Sequence, residues 1–179
     1  MKKELNIGLL ITTIGGVNMD NIEYLEVVDE QETIERLAHG YKENIEQTIV
    51  TALYQFEEIN TRLSEGDLKW SQFIKANFIL ANSHLLATLV SIGKDTDFMV
   101  EDDEEYLAEL REGYAEKDEE ALQVCMIKTL IRIDDAHEAL KLGDLSWQPF
   151  LLEIREECRL NFKAMEEVAK AFQKEATSD

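Results

Sequence analysis

An eight-residue phrase occurs twice in this chain, and it constrains the fold more than any other feature. Gly66-Asp67-Leu68-Lys69-Trp70-Ser71-Gln72-Phe73 returns as Gly143-Asp144-Leu145-Ser146-Trp147-Gln148-Pro149-Phe150. The match extends outward: Val50, Leu53, Tyr54, Phe56 and Leu63 align with Ile127, Leu130, Ile131, Ile133 and Leu140, and Ala81, Leu85 and Ala87 align with Cys158, Phe162 and Ala164. Further upstream, Ile34 through Tyr41 answers Leu107 through Tyr114, with about four extra residues after the second tyrosine, close to one helical turn. A chain that repeats its apolar pattern and its breaks is expected to build the same local architecture twice.

Within each copy the period is helical. Ile34, Leu37, Ala38 and Tyr41 share a stripe, and Ile45, Ile49, Ala52, Phe56, Ile59 and Leu63 continue at spacings of three and four, as a core-facing helix requires. Gly66 and Gly143 stop a helix because glycine alone enters the left-handed cap conformation without strain. Asp67 and Asp144 complete the turn, Asp67 as a cap for the next helix. In the second copy Pro149 is tolerated only in a first helical turn, which favours Ser146 as the cap there. The acidic run Glu101 to Glu105 suits a helix start, where carboxylates meet the positive end of the dipole. These signals predict a mainly α fold. It comprises a helical repeat over 30–93, a linker over 94–100 and a second repeat over 101–176. Each repeat has one short and two long helices, and the two pack by pseudo-twofold symmetry into one bundle of about six helices. Residues 1–29 lie outside the repeat. Leu5 to Ile14, Gly15-Gly16 and Tyr24 to Val28 predict an extended segment or a β-hairpin.

Charge narrows the function. With 38 acidic against 18 basic residues the formal net charge is −20. That balance opposes a phosphate backbone and an anionic lipid surface, so neither nucleic acid nor membrane is an expected partner. No stretch of about 20 consecutive apolar residues is present. Basic proteins or peptides are the expected partners. Lys2, Lys3 and the apolar run after them only mimic a signal peptide, and Cys125 and Cys158 fall at apolar helix positions rather than in a disulfide pattern, so the expected setting is cytoplasmic.

Chemistry is sparse. There is no Gly-x-Ser-x-Gly elbow and no phosphate loop, and the chain is read as a non-enzyme without a cofactor. Trp70, Trp147, Phe73 and Phe150 stand at i and i+3 after each Gly-Asp turn. They pin a helix corner, or they line a groove for a partner, tryptophan being favoured at binding hot spots. Asp134, His137 and Glu138 share one helical face and carry the alternative reading, a metalloprotein. Against it, a carboxylate-bridged bundle site wants the motif on two helices, and the first copy has Glu57 and Asn60 at the matching places. The leading expectation is an acidic helical adaptor or chaperone-like module that holds a partner's helix near the two tryptophans. Self-association into a homodimer through Leu9-Leu10-Ile11 is the third reading.

Overall fold

The computed structural model describes residues 30–96, 100–116 and 119–176. The predicted extended segment or hairpin of residues 1–29 lies outside these, as do residues 97–99 of the expected linker. The protein is all-α. Its helices are α1 (Glu30–Glu43), α2 (Ile45–Ser64), α3 (Trp70–Ser91), α4 (Glu104–Ala115), α5 (Glu119–Leu142) and α6 (Trp147–Ala176), and no strand occurs among the described residues. The chain divides into two compact units, one ending at Asp97 and the other beginning at Phe98.

In the first unit α3 lies against both α1 and α2. It carries Phe73, Ile74, Leu80, Ala81, Leu85 and Ala87 into the core, where Ile34, Ala38 and Tyr41 of α1 and Ala52, Phe56 and Ile59 of α2 meet them. Burial on nearly all sides explains why α3 lacks a clean amphipathic stripe. It also corrects an expectation: α3 is long and apolar enough to cross a membrane by length and composition, with 61% of its most apolar stretch buried inside the protein. Reading for an unbroken apolar run missed this, because Asn77, Ser83, His84 and Thr88 interrupt it. The first and last of these satisfy themselves locally, Asn77 Nδ2 donating to the Phe73 carbonyl and Thr88 Oγ1 to that of Leu85.

In the second unit α6 lies against α4 and α5. Tyr106, Leu107 and Leu110 of α4, Cys125 of α5, and Leu160 and Ala164 of α6 form one apolar cluster, with Tyr114 packed on it. Within each unit a glycine of the first helix lies close against a side chain of the second. A Cβ on Gly40 would stand 2.8 Å from Thr48 Oγ1, and one on Gly113 would stand 2.2 Å from Cys125 Sγ.

The helix ends follow one chemistry. Gly66, Gly93 and Gly143 have φ of 81°, 70° and 79°. After α2 the Gly66 and Asp67 amides donate to Leu63 and Arg62, and after α5 the Gly143 and Asp144 amides donate to Leu140 and Ala139. That is the Schellman closure of a helix C-terminus. Asp67 therefore finishes the preceding helix rather than capping the next. Lys69 holds the N-cap position of α3; its ammonium accepts nothing, so it supplies no side-chain cap, while Gln72 Oε1 reaches back to accept the Lys69 amide at 2.8 Å. Leu68, between Asp67 and Lys69, is buried. α6 begins directly after Ser146, whose carbonyl accepts the Phe150 amide, so Pro149 sits in the first turn where its missing donor costs nothing.

The four-residue offset falls partly between first and second helices and mostly inside α5. α1 and α2 are separated only by Asn44, whose side chain accepts the Gln47 amide, whereas α4 and α5 are separated by residues 116–118, and α5 starts at Glu119, ahead of the Leu122 that aligns with the first residue of α2, Ile45.

Candidate functional site

The aromatic pairs of the two turns adopt one geometry. Trp70 stacks on Phe73 at 5.0 Å and 25°, and Trp147 stacks on Phe150 at 5.5 Å and 29°. Phe73 and Phe150 are fully buried, each inside its own unit, so neither offers surface to a partner, and their expected part in a groove is replaced by a core role. The tryptophans are half-buried. Trp70 Nε1 is buried without an acceptor.

The Asp134, His137 and Glu138 face is built from ordinary contacts. His137 lies flat on Phe150, with centroids 5.3 Å apart and planes 1° from parallel. Glu138 accepts from Lys141, which holds its carboxyl below the usual range, and Asp134 is exposed. Among the described residues no group of three or more His, Cys, Asp or Glu converges as a metal would need. Cys125 and Cys158 are buried free thiols, and burial pushes both upward, away from the thiolate a nucleophile requires.

Two other surfaces stand out. The first is apolar. On α2, Val50 and Tyr54 are 44% and 66% exposed, and their aligned counterparts on α5, Ile127 and Ile131, are 55% and 53% exposed. In each unit the pair is spaced i, i+4 and points away from Phe56 or Ile133, which face the core. Val124, also exposed, extends the stripe on α5. The apolar repeat mixes these outward positions with core positions, and alignment alone does not separate them.

The second surface is charged and belongs to the second unit. Arg132 of α5 pairs with Glu157 of α6, and its guanidinium lies 4.1 Å from the centre of the Tyr106 ring. Glu157 is only 7% exposed, and besides Arg132 its carboxyl interacts with the Tyr106 hydroxyl. Burial raises its carboxyl despite the opposing Arg132 charge, and burial likewise pushes the Tyr106 phenol up to about 12. Arg132 and Asp103 divide two clefts, one of about 400 Å³ that takes in Ile131 and the other of about 530 Å³ that takes in Glu157. The larger is walled by carboxylates, among them Glu101, Asp103, Asp135, Asp144 and Glu153, over an apolar floor that includes Ile154 and Leu160, with Arg132 as the one cation of its lining. The neighbouring cations are engaged outside that lining: Arg159 and Lys163 hold Asp102. Of this arrangement the sequence signalled only the acidic run near residue 101. Glu157 carried no flag, because a lone glutamate in an acidic helix looks like any solvated one.

Fold and surfaces together define an all-α protein of two three-helix units with an acidic cleft on the second. No family model, no curated protein and no solved structure matches this chain.

Proposed function

We propose that this protein is a non-catalytic interaction module, built by duplication of a three-helix unit, that binds an amphipathic helix of a partner protein. The observation that carries this reading is the exposed apolar pair at aligned positions of the middle helices, Val50 and Tyr54 on α2 and Ile127 and Ile131 on α5. A core does not need these side chains, yet both copies keep them large and apolar, and i, i+4 apolar spacing is what a helix-in-groove contact uses. Tyrosine and isoleucine at solvent also cost solubility, which the net charge of −20 offsets. The half-buried Trp70 and Trp147 supply a second candidate contact at the turns.

The test is affinity capture from native lysate with the full chain, compared with a Tyr54→Ser/Ile131→Ser bait of unchanged helicity. Sedimentation of the pure protein identifies self-pairing. The expected result is one stoichiometric partner on the wild-type bait, absent from the variant, with a synthetic helix of that partner competing for binding. A partner retained equally by both baits overturns the assignment to this surface, and a Trp70→Ala/Trp147→Ala bait then reads the turns. A homodimer that the two serines dissociate replaces the foreign partner with a second copy.

A further inference from the structure

The larger cleft of the second unit is more than a solvated acidic face. Glu157 lines it while more than nine-tenths buried, with Arg132 paired to it and the Tyr106 phenol beside it, so the one cation of the lining is already engaged and the other carboxylates of the cleft have no counter-charge from it. The carboxylates of Asp135, Asp144 and Glu153 stand around the same cleft without an ion pair or side-chain hydrogen bond among the described residues, unlike those of Asp102 and Glu156 nearby, which salt bridges engage. The floor is apolar, from Val100, Leu145, Ile154 and Leu160. Carboxylates around an apolar floor suit a side chain with an aliphatic stem and a cationic head, which are the properties of lysine and arginine. The cleft also adjoins the apolar stripe. Ile131 opens into the smaller cleft, and that cleft shares Arg132 and Asp103 with the larger one.

We propose that this acidic cleft receives lysine or arginine side chains carried by the same amphipathic helix whose apolar face lies on Ile127 and Ile131. The partner segment is then a basic amphipathic helix. This rests on the interaction-module reading and adds to it the charge of the partner and the place where that charge is read.

The test uses the full chain and an 18-residue synthetic helix with one leucine face and lysine elsewhere, titrated by calorimetry at 0.15 M salt, where exposed charges beyond about 8 Å are screened. A peptide with glutamate in place of lysine is the control. Asp135→Asn/Glu153→Gln removes two exposed carboxylates from the cleft, and Glu57→Gln/Glu58→Gln removes two exposed ones from α2. The expected result is binding of the lysine peptide alone, weakened about tenfold by the cleft pair and less than twofold by the α2 pair. Equal effects of the two pairs mean that the peptide reads only net charge, and overturn the proposal. Absence of any lysine-peptide binding overturns it too. If Ile127→Ser/Ile131→Ser abolishes binding while the cleft pair has no effect, the cleft assignment fails and the interaction-module reading stands. Failure of that reading shows instead in the capture experiment, where no partner depends on Tyr54 and Ile131.

Discussion

The Tyr41 hydroxyl stands 2.8 Å from His84 Nδ1 in the first unit, and the aligned Tyr114 hydroxyl donates to Asn161 Oδ1 at 2.6 Å in the second. One bond from the first helix to the third thus recurs with a different acceptor. Around it the units diverge. His84 Nε2 faces Gln55 Oε1 at 3.4 Å, while Asn161 Oδ1 also lies 3.2 Å from Thr129 Oγ1. A neutral imidazole protonated at Nε2 fits both of its neighbours, donating to Gln55 and accepting from Tyr41.

That difference makes the first unit sensitive to acid. His84 is 1% exposed, and burial lowers it from 6.5 to about 4. Because the folded-state value lies below the unfolded one, the unfolded chain binds the proton first. The stability is fully present above pH 6.5 and is lost as pH falls from 6.5 towards 4, by up to about 3 kcal/mol. Urea unfolding at pH 7 and pH 4.5 should show this loss in the wild type, and His84→Asn, which copies the acceptor of the second unit, should remove most of it.

Gly113 has no room for a methyl group. A Cβ there would overlap Cys125 Sγ at 2.2 Å, so Gly113→Ala should cost about 1–3 kcal/mol. Adding Cys125→Ala should recover part of the loss, giving a coupling energy in a double-mutant cycle by thermal melting. Additive costs would mean that the helices separate rather than clash at that one atom.

Gly66 and Gly143 need their backbone rather than their space. A Cβ at either meets nothing within 4 Å, yet φ is 81° and 79°. Alanine at either position should cost about 1–2 kcal/mol, and asparagine less, since it tolerates the left-handed region better. Calorimetric melts of the four single variants check the order.

Arg132 and Glu157 should show the asymmetry of a half-buried pair. Glu157 is buried, whereas about half of the Arg132 side chain surface remains exposed. Arg132→Gln strands a buried carboxyl, so it should be the more damaging change, by about 1–3 kcal/mol after allowance for solvent at the arginine. Its penalty should grow as pH rises, because the raised carboxyl of Glu157 favours the protonated form and ionises without its partner. Glu157→Gln, which removes the charge itself, should cost less. Denaturant midpoints at pH 5 and pH 8 separate the two.

The outward apolar pairs should matter little to stability. Val50→Ser and Ile127→Ser should each change unfolding free energy by less than about 0.5 kcal/mol, while Phe56→Ala, fully buried, should cost about 3–5 kcal/mol. A large loss at Val50 or Ile127 would show these side chains to be part of a core.

What could be read directly from the chain was whatever depends on neighbours in sequence. Helix existence, the stops at Gly66 and Gly143 and the first-turn place of Pro149 follow from periodicity, from the left-handed backbone only glycine enters freely, and from proline's missing donor. The tertiary structure decided everything that depends on which side of a helix faces what. Alignment put Val50 and Phe56 in one list as apolar repeat positions, and only packing shows that one is exposed and the other buried. It set Phe73 and Phe150 inside the core and their tryptophan neighbours at its edge, and it placed the cap of α3 at Lys69 rather than Asp67. It also turned one glutamate among many, Glu157, into a buried group paired with Arg132 beside a cleft. Burial is a property of the assembled helices, because it is set by side chains distant in sequence, and it decides whether a carboxylate is a solvated surface group or part of a site.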